Sequence, residues 1–176
     1  MLRPLYPWQA EEFLEHMGRA RATVDPWIPW AQVSSNLASA RKTLQRYADN
    51  QAKDQAYLYG IWLRGRLVGG VMFVHFDAES GVCEIGCWLE ESAVGRGLVT
   101  IAARHLVTWA FAEREMTRIE WRTSPANTRS SNVARRLGMN LDGVLRKSWL
   151  HNGEYHDTEV WSLLADEWRP AEAATA

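Results

Sequence analysis

Cysteine is scarce in this 176-residue chain: it has two, Cys83 and Cys87, too few for a disulfide framework. They fall four apart in a stretch that reads as a strand, roughly 13 Å between Cα atoms and beyond disulfide reach. No histidine stands beside them at metal-ligand spacing, so they read as small apolar strand residues and no metal is expected. An excess of either charge is also missing. Twenty Lys+Arg against 21 Asp+Glu leave −1, which removes the general attraction for nucleic acid, so any anionic ligand must be gripped locally. No apolar run approaches membrane-spanning length, and the first seven residues lack the apolar segment of a secretory leader, so neither a membrane nor export is expected and the protein reads as cytoplasmic. Repeats and low-complexity tracts are absent, apart from a loose alanine-rich tail at 170–176.

What is present fits one domain over 1–169: 47% hydrophobic and 23% charged residues are globular values that argue against long disordered tracts. A helix is expected from Pro7, with Ala10, Phe13, Leu14 and Met17 on one face and Gly18 as its end. Prolines then break the chain around Trp27 and Trp30. Ser34 or Ser35 caps a second helix carrying Leu37, Ala40, Leu44 and Tyr47. From residue 57 the pattern changes to apolar and aromatic runs about an Arg64-Gly65 turn, giving a hairpin (57–63, 67–76), and then a third strand (82–89). That strand sorts Val82, Glu84, Gly86 and Trp88 onto one face and Cys83, Ile85, Cys87 and Leu89 onto the other. A long helix (98–114), a strand (118–123), a short helix (130–137) and a closing hairpin (141–149, 154–164) complete a mixed α/β order.

Val94-Gly95-Arg96-Gly97-Leu98-Val99-Thr100 joins the third strand to the long helix. Glycines there let successive N–H groups converge on one anion at the positive end of the helix dipole, although a plain turn also accounts for them. A Walker loop is excluded, because no Gly-Lys-Ser/Thr follows. A dinucleotide fingerprint, with Thr100 in the third-glycine place and Glu120 as the ribose acid, conflicts with a loop that follows three strands and with a short next helix. A second constellation narrows the reading: Asn127-Thr128-Arg129-Ser130 opens the short helix, and Arg136-Leu137-Gly138-Met139 closes it.

Together with Trp27-Ile28-Pro29-Trp30, Glu84-Ile85-Gly86-Cys87-Trp88-Leu89 and Asn152-Gly153-Glu154-Tyr155-His156-Asp157, these motifs resemble the GNAT superfamily of N-acetyltransferases, in the branch that acetylates ribosomal-protein N-termini. The resemblance implies a mixed central sheet splayed after the third strand of the hairpin side, flanked by about four helices, with acetyl-coenzyme A as co-substrate. It places the pyrophosphate on N–H groups of Val94, Gly95, Arg96, Gly97, Leu98 and Val99, beside Thr100, and the thioester carbonyl on backbone N–H near Trp88 and Leu89. Asn127, Ser130 and Arg136 fall at coenzyme-contacting positions, and Ser130 is placed to protonate the leaving thiolate. Ala134 stands where many relatives carry a tyrosine acid, which leaves Ser130 as the acid from that region. Self-association into a homodimer is expected by the same analogy.

The acceptor is an amine that must lose a proton before it attacks. An α-amine of pKa about 8 is roughly a tenth neutral at pH 7, against a few parts in ten thousand for lysine at about 10.4, a gap of about 3 kcal/mol. A peptide α-amine or a small-molecule amine is therefore the easier acceptor. Glu84, sharing a strand face with Trp88, is the candidate base through water, set against a plain cross-sheet ion pair. Trp27, Trp30, His75 and Trp149 are candidates for the acceptor pocket, with a structural role the stronger reading for His75. Two rivals keep the fold: transfer of another acyl group such as succinyl, and a non-catalytic acyl-coenzyme A sensor.

Overall fold

The structure, a computed structural model, describes residues 1–29 and 33–169. Seven strands form one sheet: β1 Leu2–Pro4, β2 Tyr57–Leu63, β3 Arg66–Asp77, β4 Val82–Leu89, β5 Arg118–Thr123, β6 Asn140–His151 and β7 Glu154–Leu164. Their order is β1-β2-β3-β4-β5-β7-β6, antiparallel throughout except where β4 meets β5. A parallel pair needs a crossover, and α3 (Leu98–Ala112) supplies it. Helices α1 (Ala10–Val24) and α2 (Leu37–Ala52) cover one face, packing Phe13, Met17 and Leu44 with Leu58, Met72 and Trp88. Helices α3 and α4 (Thr128–Leu137) cover the other, packing Leu106, Val107 and Leu137 with Phe73, Ile85, Ile119 and Trp121. The two faces expected of β4 are thus the two cores. Among the described residues, no helix is long and apolar enough to cross a membrane.

Several local expectations are corrected. Helix α1 runs through Gly18 to Val24, because Gly18 is exposed and its cost of about 1 kcal/mol is outweighed by burying Ala20 and Val24 beyond it. The cap of α2 is Asn36, whose side chain accepts from the Ser39 amide, whereas Ser34 is buried against Thr43. Strand β1 is too short to show in the pattern; it pairs with β2 at the sheet edge, where Pro4 is tolerated.

The feature that positions the site is the short contact between β4 and β5. Their register holds for three pairs, Val82↔Arg118, Cys83↔Ile119 and Glu84↔Glu120, and then ends. Beyond it β4 stays on β3 as far as Leu89↔Gly69, and β5 stays on β7 as far as Thr123↔Glu159, so the sheet parts into two wings. Val74, an extra residue on β3 between the partners of Ile85 and Glu84, makes a bulge at the level where parting begins. Bulges bend a strand and sharpen its twist.

Just past the end of β4 lies a buried polar cluster. Glu90 accepts from Arg19 Nε at 3.0 Å, from Ser92 Oγ at 2.6 Å and from Arg66. His16, fully buried, sits 3.4 Å from Glu90 through Nδ1 and accepts the Trp88 indole N–H at 2.9 Å through Nε2. Burial lowers the His16 pKa to about 4, with Glu90 partly opposing. Burial raises Glu90, but hydrogen bonds from Ser92, Arg66 and Arg19 outweigh it and hold the carboxyl at about 2. Both groups therefore bind fewer protons folded than unfolded, so each contribution is complete above its unfolded pKa and fades as pH falls. Stability should fall from pH 6.5 to about 4 as the unfolded chain takes up the proton that His16 refuses, and fall again from about 4.3 toward 2 through Glu90. Glu90→Gln should cost about 3 kcal/mol near neutrality, with the deficit closing toward pH 2. Urea unfolding at a series of pH values checks both; a midpoint flat from pH 7 to 4 contradicts the first.

Candidate active site

A cleft of about 1460 Å³ occupies the parting of the sheet. It runs from the glycine loop and the first turn of α4, past the facing ends of β4 and β5, to residues 26–29 and Trp149. Its wall on the β4 side includes the strand's backbone edge. The Glu90 amide donates to Val68 O, and antiparallel alternation then turns the N–H and C=O of Trp88 and Gly86 toward β3. Those of Cys87 and Leu89 turn toward the side that β5 has left, where Leu89 O accepts from Thr23 Oγ1 at 3.2 Å. Leu89, rather than Trp88, is therefore the residue that offers an amide to the cleft, which corrects the expected pair. The indole of Trp88 is spent on His16.

At the loop, Gly95 (φ +81°) and Gly97 (φ +71°) both lie in the left-handed region that favours glycine, and Gly97 caps α3. The first amide bonded back along α3 is that of Ile101, to Gly97 O. Among the described residues, the N–H groups of 95–100 find no protein acceptor, at the positive end of a fifteen-residue helix. Val94 does not join them, since its amide closes the preceding turn on Glu91 O at 3.1 Å. Gly95, Gly97, Leu98, Val99 and Thr100 line the cleft; the exposed Arg96 side chain does not. These amides fit a diphosphate. Arg129 from α4 reaches back to Glu91 at 2.7 Å and ties the loop to the opposite wing.

Across the gap, Asn127 caps α4 by accepting the Ser130 amide at 3.2 Å, and Ser130, Asn127 and Arg136 line the cleft. Ser130 Oγ accepts the Trp121 indole N–H at 2.9 Å. Trp121, in the sequence an unremarked residue of the 118–123 strand, is buried and also lines the cleft. Glu84 lines the cleft half-buried, with Arg122 Nε 3.7 Å away. Burial raises its pKa, Arg122 lowers it and Glu120 raises it again, leaving the carboxyl above its ordinary range.

At the far end, Trp27 and Ile28 face Leu145, Ser148 and Trp149. Trp149 stacks on His151 at 4.6 Å, and His151 Nε2 meets Asp25 O at 2.9 Å, which fastens the β6–β7 hairpin to the end of α1. Trp30 lies outside the described residues. His75 is not in the cleft: the bulge puts Val74 there and leaves His75 exposed in a separate shallow hollow beside Lys53 and Asp54. Among the described residues, no three His, Cys, Asp or Glu gather as a metal site.

With this geometry in place, the relatives are informative. The model of the acetyltransferase (GNAT) domain matches residues 1–140. A Bacillus subtilis protein named "Putative ribosomal N-acetyltransferase YdaF" is 30% identical, over 95% of this chain and 92% of its own. The ribosomal-protein-serine acetyltransferase of Escherichia coli is 27% identical, over 79% and 78%. Among solved structures, a RimL ribosomal L7/L12 α-N-protein acetyltransferase in complex with coenzyme A superposes with a TM-score of 0.89 at 23% identity, covering 95% of this chain and 94% of that one. The chain belongs to the GNAT acetyltransferase family. Its particular activity is that of an N-acetyltransferase that uses acetyl-coenzyme A as co-substrate.

The electrostatics of Glu84 can be checked directly. Its carboxyl carbon should titrate above the ordinary carboxylate range by NMR, Arg122→Met should move it higher, and Glu120→Gln lower. A midpoint that ignores both substitutions contradicts the placement.

Proposed function

We propose that residues 1–169 act as one acyl-coenzyme A N-acyltransferase domain that acetylates the α-amine of a protein N-terminus, of the kind ribosomal proteins present. The names of the relatives support the acceptor class, and they lend no support to a succinyl donor or a non-catalytic sensor. The observation that carries the reading is the open edge of β4, where the Cys87 backbone and the Leu89 N–H face the gap that β5 leaves between the two wings.

The amides of 95–100 hold the diphosphate, and the edge of β4 receives the amide-bearing arm as a neighbouring strand would. The Leu89 N–H stabilises negative charge on the thioester oxygen as the amine adds. Glu84, ionised, takes the acceptor's proton through water; its raised proton affinity suits it to a weakly acidic ammonium. Ser130 gives its proton to the departing sulfur and recovers one from solvent. A thiol pKa near 8.5 makes that transfer undemanding. Trp27 and Trp149 line the acceptor end, whereas His75 and Arg96 have no cleft contact to support a role there.

A cytoplasmic place of action follows from this acceptor class. Self-association is proposed on a separate observation: β6 is the outer strand, and Leu141, Val144 and Leu150 along it are exposed, an apolar edge that a second copy would cover.

Peptides with a free α-amine should be acetylated, and the same peptides with a blocked N-terminus and an internal lysine should stay near background. On the good acceptor, Ser130→Ala should lower kcat about 30-fold with coenzyme A affinity retained, and Glu84→Gln should lower it on the order of 100-fold and abolish the acidic limb of the pH–rate profile. Turnover rises with pH across that limb, because only the ionised carboxylate accepts a proton. No transfer to any α-amine, or equal transfer to lysine, overturns the acceptor assignment.

A further inference from the structure

Two neighbouring serines open α4, and the structure gives them opposite hydrogen-bonding duties. Ser131 donates to Glu159 Oε2 at 2.6 Å, so its proton is spent inside the protein. Ser130 Oγ instead accepts, at 2.9 Å, from the indole N–H of Trp121, and among the described residues its own proton has no protein acceptor. An indole can only donate, so this bond removes the hydroxyl's freedom to turn its proton inward. It also draws electron density from the oxygen, which makes the O–H a better donor.

The support beneath this contact is rigid. Trp121 is a directly opposed cross-strand partner of Trp161, whose indole N–H donates to the same Glu159 oxygen at 2.9 Å. Glu159 is itself the partner of Thr123, so the β5–β7 wing holds both serines from below, one directly and one through a carboxylate. Trp121 is 1% exposed, and that small surface lies on the cleft wall.

We infer that Trp121 is a positioning residue: its indole N–H fixes the Ser130 hydroxyl with the proton aimed into the cleft, at the sulfur that leaves when the C–S bond breaks. The inference rests on the acyl-transfer reading of the cleft. In the step itself the C–S bond breaks with its electron pair on sulfur, the Ser130 proton moves to that sulfur, and water returns a proton to Ser130.

The test needs no acceptor. Coenzyme A bound to the full chain is titrated by thiolate absorbance; Cys83 and Cys87, pushed up to about 12 by burial, stay silent in the working range. A hydroxyl that donates to the thiolate favours the charged form, so the bound thiol should titrate about one unit below free coenzyme A. Trp121→Phe, which keeps a buried aromatic ring and loses the N–H, should raise it most of the way back with coenzyme A affinity within about twofold. Ser130→Ala should produce the same rise, and adding Trp121→Phe to it should change nothing further. A thiol titration unmoved by Trp121→Phe, or a further shift in the Ser130→Ala background, overturns the inference and leaves the acyl-transfer reading standing. Failure of the native chain to bind coenzyme A removes that reading and the inference together. If Trp121→Phe does not fold, Ser130→Ala alone still decides: one indole N–H resonance should move upfield, and a spectrum with no indole shift shows that the contact is absent.

Discussion

Everything in this molecule that touches chemistry depends on two parallel strands that stop pairing after three residues. A backbone edge left without a partner is costly in a protein interior unless something supplies donors and acceptors. Here the unpaired stretch of β4 opens into a large cleft, and the opposite wall is built from β5 and the start of α4. An extended ligand with amides of its own satisfies such an edge, and the helix N-terminus at one end of the gap receives its charge.

The wings are kept apart and aligned by contacts spread along the cleft. At the loop end, Arg129 on α4 grips Glu91. At the acceptor end, His151 on the hairpin meets the last carbonyl region of α1 at Asp25. Behind β4, Glu90 gathers Arg19 and Arg66 around a neutral His16, which in turn holds the Trp88 indole. Since Glu90 lies between Leu89 and the glycine loop, the cluster fixes the strand edge and the anion site as one piece. The charges are paired and hydrogen-bonded, as burial demands.

The sequence made the order of elements legible because most carried their own pattern or punctuation: apolar runs in β2 and β3, two sorted faces in β4, glycines at 95 and 97, Asn127 and Gly138 around α4. The anion site was legible for the same reason, since left-handed φ values leave a mark in glycine. What escaped was set by contacts distant in sequence. Nothing local says that α1 runs through Gly18, that Ser34 is spent on Thr43, or that Val94 closes a turn with its amide. The bulge at Val74 cannot be read from alternation, and it moved His75 out of the cleft. The pairing of Trp121 with Ser130 joins a core-patterned strand residue to a capping-turn residue, and only the folded wing brings them together.

Amide hydrogen exchange along β4 tests the open edge most directly. In the ligand-free protein the Cys87 and Leu89 amides should exchange far faster than those of Gly86 and Trp88, and coenzyme A should slow the first pair selectively. Uniform protection along the strand before coenzyme A is added, or exchange at Cys87 and Leu89 that coenzyme A leaves unchanged, would contradict a strand edge held open for a ligand.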